Sequence, residues 1–230
     1  MHTHPITHLV SDCDGVLIDS EAVALDALLS ALHSKLDNRA QLSALIRPRL
    51  GLSLEPLLHD LFEELGIRSE GPGEIAAIRA LVEGECDRRL SVVPGVALAL
   101  AAIPLPKAVA SNSSSLRVHE ALRRTGLAPL FGARIYTPDI VGSAKPAPGL
   151  YLAAAQGFGV APANCLVLED SVTGVTAAVA AGMLVLGFTG GGHIPDGQAT
   201  RLKAAGAYAC FDDMAQLPAL VAALVKQRQH

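Results

Sequence analysis

Two hydrophobic rhythms divide the chain. Between Ser20 and about Arg89 apolar residues recur at helical spacing. Leu25, Leu28, Leu29 and Leu32 follow Ser20-Glu21; Leu54, Leu57, Leu58, Leu61 and Leu65 follow a capping Ser53 and stop at Gly66; Ile75, Ile78, Val82 and Cys86 form a third set. Each set falls on one face of a helix, and Ser and Gly are residues that start and stop helices. Outside this block the rhythm shortens to compact β-branched or apolar runs at His8–Ser11, Lys107–Ala110, 134–136, 165–168, Leu184–Phe188 and 207–211. Helical patterns of about ten to fifteen residues separate the later runs, and that alternation predicts a parallel sheet with helices on both faces. The expected fold class is α/β. A sheet core is expected from 1–18 and 92–230, with a helical cap, 19–91, inserted between the first and second strands.

Composition narrows the possible partners. Half of the 230 residues are hydrophobic, so the chain can bury a real core and is not disordered. Against 22 Asp and Glu stand 18 Lys and Arg, a net charge of −4 that leaves no broad positive surface for a phosphate backbone. Nucleic acid is therefore not an expected partner, and a small ligand is. Cys13, Cys86, Cys165 and Cys210 lie far apart without a C-x-x-C pair, which reads as reduced packing residues rather than a disulfide framework or zinc site. The segment MHTHPITHLVSD lacks the basic and apolar regions of a signal peptide. The uncharged stretch 171–195 is broken by Gly174, Gly182 and Gly190-Gly191-Gly192, so a membrane span is not expected and the location expected is cytoplasmic.

In open α/β sheets, ligands sit beyond the carboxyl ends of the strands. Here the first strand runs into Asp12 and Asp14, the second into Ser111-Asn112-Ser113, and the run at 165–168 into Glu169-Asp170-Ser171. Lys145 lies just before a helix that Pro148 can start. Each group alone has a plain structural reading: a turn for Asp-x-Asp-Gly, a helix cap for Ser111-Asn112-Ser113, an acidic helix start for Glu169-Asp170. Together they place four carboxylates, a lysine and a serine around one point. A hard divalent cation would compensate that repulsion, and Mg²⁺ prefers a few carboxylate oxygens together with substrate phosphate. The set points to phosphoryl chemistry.

In this order, Asp12-Cys13-Asp14-Gly15, Ser111-Asn112, Lys145-Pro146 and Glu169-Asp170-Ser171 resemble the four motifs of the haloacid dehalogenase-like (HAD) superfamily. The segments DCDGVLIDSE and VLEDSVTGVTAAVAAGM are similar to its branch of β-phosphoglucomutases and small sugar-phosphate phosphatases. The resemblance implies a Rossmann-like core with the helical cap at 19–91. It implies Asp12 as a nucleophile that forms an aspartyl-phosphate and Asp14 as general acid and then base. It also implies Mg²⁺ held by the side chains of Asp12 and Asp170 and the backbone carbonyl of Asp14, with help from Glu169. Ser111, Asn112 and Lys145 would hold the transferring phosphoryl group. An acid at the Asp14 position favours phosphate esters over haloacids, and small capped members of the superfamily suggest a monomer.

Within the branch, mutases carry a cap histidine at the position of Ala24 and a phosphate-gripping arginine at that of Leu54, after a segment similar to Gly51-Leu52-Ser53. Both departures favour hydrolysis of a phosphomonoester. The expected substrate is a small phosphorylated metabolite, a sugar phosphate or a sugar-acid phosphate such as 6-phosphogluconate. The alternatives are a β-phosphoglucomutase-type phosphomutase and a non-catalytic binding protein on the same scaffold. Arg47 or Arg49 is expected to face the site from the cap, Lys35 reads as a solvated helix residue, and Gly190-Gly191-Gly192-His193 reads as a flexible turn at the rim. Cap closure, hinged near 16–20 and 91–95, is expected to control water access.

Overall fold

The computed structural model describes residues 4–36, 38–49, 54–68 and 71–228; Gly51, Leu52 and Ser53 lie outside them. Six strands form one parallel sheet: β1 (His8–Ser11), β2 (Lys107–Ala110), β3 (Ile135–Tyr136), β4 (Cys165–Glu169), β5 (Leu184–Phe188) and β6 (Ala209–Phe211), in the order β3-β2-β1-β4-β5-β6. The helices in chain order are α1 (Glu21–Ala31), α2 (Arg39–Ile46), α3 (Leu54–Leu65), α4 (Pro72–Arg88), α5 (Val96–Ala101), α6 (Ser115–Arg124), α7 (Ala128–Phe131), α8 (Pro138–Val141), α9 (Gly149–Phe158), α10 (Val172–Ala180), α11 (Gln198–Ala204) and α12 (Leu217–Gln227). The architecture is the expected α/β core with added cap helices. Three strands differ at their ends: β3 lacks Arg134, β6 lacks Ala207 and Tyr208, and β4 gains Glu169, which pairs with Gly187.

Successive strand residues point to opposite faces, and both faces are covered. Leu9, Val109, Leu166, Leu168 and Leu186 pack with Leu100, Val118, Leu122, Leu217 and Val221 of α5, α6 and α12. Val10, Ala108, Ala110, Val167 and Val185 meet Leu150, Tyr151, Val175 and Leu202 of α9, α10 and α11. The small alanines of β2 leave room for the Tyr151 ring, which is fully buried.

The cap has a third apolar cluster of its own, built from α1 to α4. Ile75, Ile78, Val82 and Cys86 are buried with Leu25, Leu28, Leu29 and Leu32, while Leu57, Leu58 and Leu61 enter from α3. Each fully buried Leu stabilises by about 1.5–3 kcal/mol relative to exposure, which is why three helical runs with one apolar face each converge. The two linkers between cap and core pair with each other: Asp19 N donates to Ser91 O at 2.9 Å, Val93 N to Leu17 O at 3.0 Å, and Ile18 bridges Val92.

Strand register levels the carboxyl ends of the central strands. Ser11 stands beside Val109 of β2 and Leu168 of β4. Residues that follow these strands therefore emerge on one edge of the sheet. The four cysteines are free thiols, three of them buried, and no helix among the described residues is long and apolar enough to cross a membrane.

Candidate active site

Asp12 leaves β1 with its backbone N–H donating to Leu168 O at 2.9 Å, and the chain then turns sharply through Gly15, whose φ is +79°. A Cβ there would overlap Asp170 Oδ2, so the turn needs glycine for close approach as well as for backbone angle. Lys145 Nζ reaches across the sheet edge to Asp12 Oδ1 at 2.7 Å and Glu169 Oε1 at 2.6 Å. All three side chains are almost wholly buried.

Glu169 is saturated with donors. Its Oε1 also accepts the Tyr151 hydroxyl at 2.8 Å. Its Oε2 accepts Asp170 N at 3.0 Å, Ser171 N at 3.1 Å and Ser171 Oγ at 3.0 Å. The same Ser171 oxygen caps α10 by accepting Gly174 N. A carboxylate has about four lone-pair sites, so these donors leave Glu169 little further capacity.

Burial is the largest influence on Asp12 and, although Lys145 opposes it, raises its carboxyl well above the usual range; Glu169, Asp170 and Asp14 push the same way. Burial likewise raises Asp170, against the opposing bond to His193. For Lys145 burial works against the charge, yet Asp12 and Glu169 together prevail and hold the ammonium well above its ordinary range. Carboxylate oxygens of Asp12, Glu169 and Asp170 lie within 4.8 Å of one another, all buried. Hard oxygen donors crowded at that spacing fit a divalent cation such as Mg²⁺.

Asp14 is aimed by hydroxyls. Ser20 Oγ donates to Oδ1 at 2.5 Å and Ser113 Oγ to Oδ2 at 2.8 Å, with Ser111 Oγ more distant at 3.4 Å. Ser20 precedes α1 but makes no side-chain cap there, because Asp14 takes its hydroxyl. Asn112 brackets the Lys145 backbone, accepting its N–H at Oδ1 (2.8 Å) and donating from Nδ2 to its carbonyl (3.3 Å).

A cavity of about 340 Å³ opens between these groups and the cap. Asp12, Asp14, Ser111, Asn112 and Lys145 line its core side, and Ala24, Leu28, Leu54, Leu57 and Val82 its cap side. Its arginines are Arg79, paired with Glu55 at 2.6 Å, and Arg117, which joins α6 of the core to Glu83 of the cap at 3.4 Å.

Thus Asp12, Asp14, Ser111, Asn112, Glu169 and Asp170 occupy one sheet edge, as their strand-end positions implied, and Lys145 reaches it from the connection before α9. The expectation for Arg47 and Arg49 is corrected. Arg47 donates to His193 O and Ser43 Oγ, and Arg49 to Leu45 O and Glu64, so neither forms the cavity wall. Sequence reasoning missed Tyr151, Ser20 and Arg117, and took the His193 loop for a flexible turn. His193 is buried instead, with Nε2 2.9 Å from Asp170 Oδ2.

The geometry agrees with sequence kinship. A family model described as haloacid dehalogenase-like hydrolase matches residues 6–182. The chain belongs to the haloacid dehalogenase-like hydrolases. Among solved structures, it is similar to a haloacid dehalogenase-like protein of unknown function from Agrobacterium tumefaciens: 34% identity, TM-score 0.86, covering 95% of this chain and 99% of that one. It is also similar to a HAD-family hydrolase from Deinococcus radiodurans with bound phosphate and sodium: 32% identity, TM-score 0.79, covering 96% of each chain. The 6-phosphogluconate phosphatase of Escherichia coli is 25% identical over 182 residues, which span 79% of this chain and 82% of that protein. The HAD membership accounts for the parallel core, the cap helices and the acidic cluster together.

Proposed function

We propose that this HAD hydrolase is a Mg²⁺-dependent phosphomonoesterase that works through an aspartyl-phosphate on Asp12. The observation that carries this reading is the pairing of two carboxylates at one cavity, one fixed by a buried lysine and the other by hydroxyls. A phosphate monoester resists attack because its oxygens repel nucleophiles, so charge neutralisation and positioning are the main requirements. Asp12 and Asp170, with the Asp14 backbone carbonyl, would hold Mg²⁺, which supplies positive charge beside the transferring phosphoryl group when bound. Glu169, filled by its donors, serves chiefly to fix Lys145 and the backbone at 170–171.

An Asp12 carboxylate oxygen attacks phosphorus, and the bond to the leaving alkoxide breaks. Asp14 delivers its proton to that alkoxide, held in place by Ser20 and Ser113. Water then attacks the acyl phosphate, Asp14 takes back a proton, and inorganic phosphate leaves with Asp12 regenerated. Lys145 and Ser111 steady the phosphoryl oxygens throughout.

The substrate we infer is a small sugar or sugar-acid phosphate such as 6-phosphogluconate. The cavity size, the two cavity arginines and the named activity of the E. coli relative support it. Bound phosphate in the Deinococcus relative supports the ligand class. Ala24 and Leu54 both stand on the cavity wall and offer neither proton transfer nor a phosphate grip, which disfavours a phosphomutase.

The test is phosphate release from a panel of phosphorylated sugars and sugar acids, in Mg²⁺ and in EDTA. Release that needs Mg²⁺ and disappears in Asp12→Asn is expected. Interconversion of β-glucose 1-phosphate and glucose 6-phosphate without net phosphate release would overturn the hydrolase reading in favour of a mutase.

A further inference from the structure

The Gly190-Gly191-Gly192-His193 run, singled out in the sequence, is left unused by the proposed mechanism. It is not a loose turn. A Cβ at Gly190 would overlap the Asp212 backbone oxygen, and one at Gly191 would sit 2.7 Å from His193 Cε1. The glycines let the chain fold tightly enough to send the imidazole back under the sheet edge, where it is 4% exposed.

There His193 Nε2 meets Asp170 Oδ2 at 2.9 Å. A carboxylate oxygen accepts, so Nε2 carries the hydrogen. Nδ1 is buried without a partner. Such an unpaired buried atom calls for an explanation, and the bond made by the other nitrogen supplies one. Asp170 is gripped at its backbone as well, since Gln198 Nε2 donates to its carbonyl at 2.7 Å. The loop itself is tied to the cap: Arg47 Nη1 donates to the His193 carbonyl at 2.6 Å.

We propose that His193 is a positioning residue that orients Asp170 for a divalent cation, and that Arg47 seats it from the cap. The bond to Oδ2 restrains the carboxylate that joins the cluster with Asp12 and Glu169. This rests on the reading of Asp170 as a holder of Mg²⁺. Partners of metal-holding side chains commonly set affinity by 10–100-fold, so an effect of that order is expected here.

Mg²⁺ binding to the full chain is measured by isothermal titration calorimetry. His193→Phe keeps a ring but has no donor, whereas His193→Gln places an amide N–H near the position of Nε2–H. The first is expected to weaken Mg²⁺ by about 10–100-fold, and the second to restore most of the loss. Arg47→Met is expected to weaken Mg²⁺ in the same direction but less. Far-UV circular dichroism and melting in EDTA establish that each variant is folded. The Mg²⁺ concentration for half-maximal phosphate release is expected to rise by the same factor as the dissociation constant.

Absence of Mg²⁺ binding by the unaltered protein overturns the metal reading, and this inference with it. Binding by the unaltered protein with equal affinity in His193→Phe overturns the positioning role alone. Equal weakening in His193→Phe and His193→Gln overturns the hydrogen bond as its cause, and full affinity in Arg47→Met overturns the part given to the cap.

Discussion

Replacing Lys145 with methionine keeps most of its aliphatic volume while removing the cation between Asp12 and Glu169. The two contacts, at 2.7 and 2.6 Å, are each worth about 6 kcal/mol of gross attraction at an effective dielectric near 20. The net loss is smaller, because the buried ammonium is itself costly to desolvate. A second limit comes from protonation. The folded variant can keep a proton on one carboxyl of the cluster, and at pH 7 that costs about 4 kcal/mol, some three units from an ordinary Asp at about 1.4 kcal/mol each. The expected destabilisation in EDTA is thus about 3–5 kcal/mol, in line with breaking one side of a buried ion pair.

Asp12 is already raised by burial even with Lys145 in place, so loss of the lysine raises it further. The folded variant then holds that proton more strongly than either the unfolded chain or the parent, and its stability relative to the parent falls as pH rises. Between pH 7 and pH 5 the deficit should shrink, by at most about 1.4 kcal/mol per unit. Urea unfolding of both proteins in EDTA at pH 5, 6 and 7 measures this directly. A deficit below about 1 kcal/mol at pH 7, the size of an exposed pair, or one that grows on acidification, would show that Lys145 does not hold the buried carboxylates in this way.

Tyr151→Phe removes the buried hydroxyl that donates to Glu169. The loss expected for a hydrogen bond to a charged group is about 1.5–3 kcal/mol, and Tm should fall by about 2–4 °C for each kcal/mol in a chain of this size. An unchanged Tm by scanning calorimetry would show that Glu169 is held without it. Gly174→Ala gains up to about 1 kcal/mol of helix propensity in α10, but its Cβ would overlap the Glu169 carboxylate. Overpacking of about 1–3 kcal/mol should prevail; a variant more stable than the parent in urea would contradict that packing.

Much of this molecule follows from short-range pattern. The apolar faces of α1, α3 and α4 and the compact runs that became β1, β2 and β5 are visible because burial selects side chains at the period of the local backbone. Asp12, Ser111 and Glu169 are legible for a related reason: parallel strands in register bring their carboxyl ends level, so residues that follow them meet. The division into cap and core is visible because helical and strand periods are segregated along the chain. Fold class and the principal acidic and basic groups were therefore present in the sequence itself.

The remaining features depend on how distant elements dock. Tyr151 sits on the apolar face of α9 with Leu150 and Ala154, where spacing marks it as core; its hydroxyl finds Glu169, at the end of β4, only because α9 packs across β1, β2 and β3. Ser20 stands where a helix cap is expected, yet Asp14 takes its hydroxyl because the turn at Gly15 brings the two together. Arg47 and Arg117 are indistinguishable as local signals, but the seating of the cap turns Arg47 toward the His193 loop and leaves Arg117 on the cavity wall. Burial of His193 likewise brings together the close-packed Gly190 and Gly191, the edge at Asp170 and a cap arginine. Periodicity reports which face of an element is buried, whereas the partner that covers it is set by packing between segments far apart in the chain.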